Sequence, residues 1–146
     1  MMGLVNVNTK LHIDLEWWEK EGKDFNYFLY QEMCPECKER IKDFDKAIYI
    51  DWIDPETAEV KRLNGLWETL ITCCSQKPDY INPELPITKA VFRIFLANRN
   101  EPLSAAELAE RYGDKIGVAD PHRILRILTA GKVYNGIKPI KPSKPS

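Results

Sequence analysis

Histidine is scarce in this 146-residue chain: there are two, His12 and His122. That leaves few side chains able to trade a proton near neutral pH, and so few candidates for general acid–base work. The seven glycines form no phosphate-cradling loop, and neither a G-x-S-x-G elbow nor an H-E-x-x-H helix occurs. Long apolar runs are missing too. Ala47-Ile48-Tyr49-Ile50 is typical, far short of the ~20 residues that a membrane span needs. The start, Met1-Met2-Gly3-Leu4-Val5-Asn6, lacks the basic beginning and apolar stretch of a secretory signal. These absences point to a cytoplasmic protein, with no membrane partner, that is not an enzyme. A metal-dependent enzyme with an open coordination position stands well behind. What is present excludes a wholly disordered chain, since 44% of residues are apolar and 10% aromatic.

Charge of one sign is absent only from the total. The formal net charge is −1, but residues 1–86 carry 10 Lys+Arg against 17 Asp+Glu, net −7. Residues 87–146 carry 11 against 5, net +6. Such asymmetry points to an acidic module joined to a basic one, with a polyanion confined to the second. Pro78, Pro83 and Pro86 mark the join as a linker or extended strap, because proline and the residue before it resist helix. The expected domains are therefore 1–86 and 87–146.

In the basic half, Ile87, Val91 and Ile94/Phe95 recur at helical spacing, widened by Ala90, Phe92 and Leu96. That helix should stop near Asn98-Arg99-Asn100. A second opens at Ser104, which with Glu107 makes an S-x-x-E capping box, and Gly113 is the expected stop. A third begins with Asp120 as N-cap and Pro121 in the first turn, with Ile124, Leu125, Ile127 and Leu128 on its apolar side. Val133-Tyr134-Asn135-Gly136-Ile137-Lys138 reads as a hairpin on a tight Asn-Gly turn.

Helix, short Pro-Leu-Ser strand, helix, turn, helix and hairpin is the order of a winged helix. Residues 102–113 resemble the first helix of the helix-turn-helix pair in many winged-helix regulators, and the resemblance covers roughly residues 86–140. It implies that the third helix enters the DNA major groove while the wing touches backbone or minor groove. Arg123 and Arg126 are three apart on that helix and so share a face, with His122 and Thr129 beside Arg126. Lys132 and Lys138 fall on the hairpin, and Lys141 and Lys144 beyond it. Arginine suits paired contact with guanine or phosphate; lysine acts as a point charge. The same charges also fit an ordinary solvated face, and winged helices also dock proteins. The last residues place proline every third position, which would line lysines along one edge of a polyproline helix or simply leave a disordered end.

The acidic half holds all four cysteines. Cys34-Pro35-Glu36-Cys37 is a C-x-x-C knuckle, in which two thiolates converge across a tight turn, and a tetrahedral zinc needs two more N or S ligands. Cys73 and Cys74 are the obvious suppliers. Neighbours inside a helix point ~100° apart, so both can serve only at a frayed helix end. If one of them is left out, His12 is the substitute. A redox-active C-x-x-C is the competing reading, but needs a thioredoxin-like setting that is not evident. Free buried thiols are the bland one.

Around the knuckle, Asp24–Gln31 alternates like a strand, Cys37–Phe44 like a short charged helix, and Ile48–Ile53 like a second strand. Leu63–Cys74 reads as a closing helix. This resembles a zinc-ribbon-like or treble-clef-like knuckle. Trp17, Trp18, Trp52 and Trp67 raise base stacking, but Asp14, Glu16, Glu19, Glu21 and Asp24 around the first pair would repel phosphate. Core or interface packing suits them better.

The expectation is thus an α+β protein: a zinc-knuckle-like module followed by a winged helix. Its expected role is that of a structural-zinc, DNA-binding transcriptional regulator, whose acidic module contacts a protein partner or self-associates. The alternative is a non-enzymatic adaptor in a larger transcription or translation complex.

Overall fold

The computed structural model describes residues 5–40, 49–53, 55–58, 60–130 and 132–140; Lys141, Lys144 and the proline-rich end lie outside them. In chain order the elements are β1 (Lys10–Ile13), α1 (Leu15–Lys20), α2 (Phe25–Glu32), α3 (Pro35–Arg40), β2 (Tyr49–Ile53) and β3 (Val60–Asn64). They continue with α4 (Gly65–Thr72), a 3-10 turn (Cys74–Gln76), α5 (Ile87–Ala97), β4 (Leu103–Ser104), α6 (Ala105–Ile116), α7 (Pro121–Thr129) and β5 (Ile137–Pro139). The α+β class expected from the sequence is the class found. No helix among the described residues is long and apolar enough to cross a membrane.

The chain forms two compact units, but not by a cut at Pro86. One is Asp24–Tyr80; the other joins Met1–Lys23 to Ile81–Ser146. The reason is β1. It is the central strand of an antiparallel sheet ordered β4-β1-β5, with Leu11 opposite Leu103 and Pro139, and Ile13 opposite Ile137. Without it, β4 and β5 would have no partner in this sheet. The charges regroup as well: 14 Lys+Arg against 10 Asp+Glu (+4) in the two-segment unit, and 7 against 12 (−5) in residues 24–80.

In the two-segment unit, alternation in Lys-Leu-His-Ile sends Leu11 and Ile13 into the core, each 1% exposed. They meet α5, whose Ala90, Val91, Phe92, Ile94, Phe95 and Leu96 are all buried. The capping box forms as expected: Ser104 Oγ accepts from Glu107 N–H, and Glu107 accepts from Ser104 N–H. Gly113 does not end α6, however. The helix runs one turn further to Gly117, which adopts a left-handed φ of 78°. Gly113 lies inside the helix, where an added Cβ would stand 3.2 Å from Ala119 Cα. Close packing, not termination, is what this glycine serves.

Asp120 caps α7 through His122 N–H, and Pro121 opens it, as expected. The Asn-Gly turn also forms, with φ of 47° at Asn135 and 87° at Gly136 and a bond from Ile137 N–H to Tyr134 O. The expected hairpin does not. Val133 and Tyr134 are not a strand, and β5 pairs with β1 instead. The turn is anchored from that side: Trp18 Nε1 donates to Asn135 O at 2.8 Å, and Asp14 N–H to Gly136 O at 2.7 Å. Trp18 is buried against Phe92. Core packing is therefore the role of this tryptophan.

In the unit Asp24–Tyr80, the expected first strand is a helix. Asp24 caps α2 by accepting from Tyr27 N–H, and Phe25, Phe28, Leu29 and Met33 fall on one helical face. The i, i+3, i+4 and i+8 spacing of these four outweighs the apparent alternation. α3 starts at Pro35 rather than Cys37; residues 41–44 of the expected charged helix, and Ile48 of the second strand, lie outside the described residues. β2 follows, paired antiparallel with β3 from Tyr49 opposite Asn64 to Ile53 opposite Val60. Leu63 and Asn64 belong to this hairpin, so the closing helix begins only at Gly65.

Candidate functional site

The hairpin and α4 deliver the second cysteine pair to the first. α4 ends at Thr72, and Cys73 leaves the helical path (φ −117°, ψ −67°) before the 3-10 turn starts at Cys74. This break at a helix end lets adjacent cysteines share a target. On the other side, Cys34 precedes Pro35 at the first position of α3, a place that suits proline. Cys37 and Lys38 both donate their N–H to Cys34 O at 3.1 Å, which holds the knuckle closed.

All four sulfurs lie within 4.8 Å of one another. Cys34 Sγ is 3.3 Å from Cys74 Sγ and 3.9 Å from Cys73 Sγ. Cys37 and Cys73 are within disulfide distance. A disulfide would account for those two, but gives no reason for Cys34 and Cys74 to meet at the same point. Four thiols converging from two distant segments is an arrangement that can hold a metal ion.

The electrostatics favour thiolate at the exposed end. Burial opposes ionisation of Cys34, but the Cys37 N–H, the Cys74 thiol and the Lys77 charge outweigh it, so its pKa lies below the usual thiol value. Burial pushes the Cys74 thiol up to about 11, and the neighbouring Cys34 adds to that. Cys34 N–H also donates to Cys74 Sγ at 3.1 Å. Lys77 Nζ is paired with Glu36 Oε2 at 2.9 Å, which raises the lysine's pKa. Lys77 N–H bonds Cys74 O at 3.2 Å, so one short loop carries both a cysteine and a cation to the knuckle.

No protein-family model, no curated protein and no solved structure matches this chain. The site therefore has to be read from its own residues.

His12 is not part of the cluster. It lies on β1, in the other unit, and the four cysteines already make a complete set. There it lines a cleft of about 350 Å³ with Ile13, Asp14, Leu15, Glu16, Asn100 and Ile140. Burial lowers its pKa, Lys138 adding to the effect and Asp14 opposing it.

The residues expected to touch nucleic acid divide into two groups. His122, Arg123, Arg126 and Thr129 are all exposed on α7, opposite buried Ile124 and Leu128. No ion pair ties the two arginines among the described residues. Thr129 Oγ1 donates back to Leu125 O at 2.7 Å, so its one hydrogen is already in use. Lys132 is exposed. Lys138 is half-buried on β5 rather than on a wing tip, 3.4 Å from Asp14. Asp14 is lowered in pKa despite its burial because Lys138 and the Glu16 N–H bond it. Lys141 lies outside the described residues.

Sequence reasoning missed two polar fixtures. Asn100, with φ 62°, clasps the backbone of Ile13 from both sides: Ile13 N–H to Oδ1 at 2.8 Å, and Nδ2 to Ile13 O at 2.9 Å. It stands in for a strand neighbour where short β4 runs out. The Lys77–Glu36 pair was missed as well. Its only sequence trace is that both residues lie within three positions of a cysteine.

Proposed function

We propose that this protein is a zinc-containing DNA-binding regulator, in which residues 87–140 act as a winged helix and α7 reads the major groove. The observation that carries this is the outer face of α7. His122, Arg123 and Arg126 are exposed together, and no acidic residue occurs from Pro121 to Thr129. The succession α5, β4, α6, α7, β5 supports the same reading, as does a capped α6 packed beside α7. Four thiolates suit zinc among the common ions, in a closed, structural site. A Zn–S bond of about 2.3 Å puts tetrahedral sulfurs about 3.8 Å apart; Cys34–Cys73 at 3.9 Å is near this, while Cys34–Cys74 at 3.3 Å and the Cys37–Cys73 pair are closer and would have to open to admit the ion. A reducing compartment such as the cytoplasm keeps such thiolates available. No catalysis is involved.

The test is a fluorescence-anisotropy titration with mixed-sequence duplex DNA over a range of salt. Binding should weaken steeply as salt rises, with a log–log slope reduced by about 2 in Arg123→Ala/Arg126→Ala. Undetectable affinity at low salt, or an unchanged slope in the double variant, refutes the reading.

One observation favours the adaptor reading instead. Lys138 is tied to Asp14 and no two-stranded wing forms among the described residues, which leaves less cationic surface beside α7. A stoichiometric protein partner recovered after nuclease treatment would decide for it.

A further inference from the structure

Four thiolates around a divalent ion carry a net charge of about −2. Charge of that size in a partly exposed site is held by what surrounds it, and outer groups tune a metal's retention. At this centre Cys34 is only partly buried, so its side of the cluster faces solvent. Glu36, inside the knuckle, would add a further negative charge there. Opposite it stands one cation. Lys77 Nζ bonds Glu36 Oε2 at 2.9 Å, and the Lys77 backbone N–H bonds Cys74 O, so this residue is tied through its side chain to the knuckle and through its backbone to the second cysteine pair. Cys34 and Cys74 both feel its charge.

We propose that Lys77, held by Glu36, is a positioning residue that retains the metal. Its ammonium cancels the negative charge that Glu36 would otherwise add beside the thiolates, and ties the loop after Cys74 to the knuckle. This rests on the metal-site reading above and names what governs exchange at that site: a divalent soft ion leaves when the Lys77–Glu36 clasp opens. The pair joins the loop after Cys74 to the loop between Cys34 and Cys37. Opening it frees the loop after Cys74 from the knuckle and leaves Glu36 as an uncompensated negative charge beside the thiolates.

The experiment follows zinc release from full-length, reduced protein loaded with one equivalent of zinc and mixed with excess chelating dye. Lys77→Gln should release zinc about tenfold faster, the lower end of what loss of an outer partner does. Lys77→Arg, which keeps the charge and can still reach Glu36, should stay within about twofold of the parent protein. Raised salt should speed release from the parent more than from Lys77→Gln, because only the parent has the Lys77–Glu36 attraction to screen, while the charge of the cluster and of the dye is common to both. Equal release rates for the parent and Lys77→Gln overturn the proposal, as does a Lys77→Arg variant as fast as Lys77→Gln. Should Lys77→Gln fail to fold, Lys77→Met takes its place in both arms, and release from it at the parent's rate overturns the inference. A parent protein that takes up no zinc at all refutes the metal reading instead, so the two failures are told apart.

Discussion

With the four cysteines holding zinc, as proposed above, stripping the metal from reduced protein should unfold Asp24–Tyr80 and leave the other unit folded. This segment is shorter than the ~60 residues at which a domain is already marginal for lack of buried surface. Its buried apolar side chains among the described residues are Leu29, Met33, Cys37, Leu66, Leu70, Cys74 and Tyr80, and two of these are sulfur donors. At ~0.05–0.15 kcal/mol per residue, a folded segment of this size has a margin of about 3–9 kcal/mol. A four-ligand structural zinc contributes about 10–16 kcal/mol, so the margin cannot survive its loss. The other unit has no such dependence, since α5 alone buries six side chains against β1 and α6. Amide hydrogen exchange read by mass spectrometry separates the two. After chelation under reducing conditions, α2 and α4 should exchange at unfolded-chain rates while α5 and α6 stay protected. If α4 remains protected in protein shown to be metal-free, the cysteines are not the keystone of this unit and the energetic argument fails.

Gly136→Ala should destabilise the two-segment unit by about 2–4 kcal/mol in thermal or urea unfolding, since φ is +87° and a Cβ would sit 3.0 Å from Asp14 O and Trp18 Nε1; an unchanged midpoint would show that the turn is not pinned. Glu107 is held down to about 2, chiefly by Lys10 and then by the Ser104 N–H. Its folded pKa lies below its ordinary 4.5, so its stabilisation is complete above about pH 4.5 and drains away as pH falls towards 2. Because the pair faces solvent, the loss should be about 1 kcal/mol rather than the full value of the shift. Glu107→Gln should flatten the acid limb of the stability profile, and coincident limbs would refute this.

Where local chemistry decides structure, the sequence was legible. Ser104 and Glu107, Asp120 and Pro121, and the Asn135-Gly136 turn each satisfy backbone groups within four residues of themselves, and each formed as expected. The cysteine set was legible for a related reason: thiols paired at two places in one chain have little else to converge on. The failures came where a distant segment supplied the deciding contact. The four-residue β1 is too short to stand out, and its Leu11/Ile13 alternation gains meaning only beside β4 and β5. Asn135-Gly136 made its turn, yet Trp18 and Asp14 directed the strand after it. Phe25–Tyr30 alternates weakly enough that the Asp24 cap and the burial of Leu29 and Met33 tipped it to helix. Gly113 carried no mark distinguishing a stop from a close-packed contact.

Reassigning the first 23 residues also changes what the charge arithmetic can support. A split at Pro86 sets −7 against +6 and presents the C-terminal half as uniformly basic. The folded units stand at −5 and +4, because residues 1–23, with Lys10, Lys20 and Lys23 against Asp14, Glu16, Glu19 and Glu21, and also Glu84 belong with the basic unit. One of these acids acts directly: Asp14 holds Lys138, and the same aspartate receives the Glu16 N–H, so this corner is electrostatically closed. The cationic surface left open is narrower than the sequence implied. One part of it is the outer face of α7 with Lys132 beyond it. A polyanion drawn to this unit has that helix to meet, and there Arg123 and Arg126 stand a helical turn apart with no carboxylate between them.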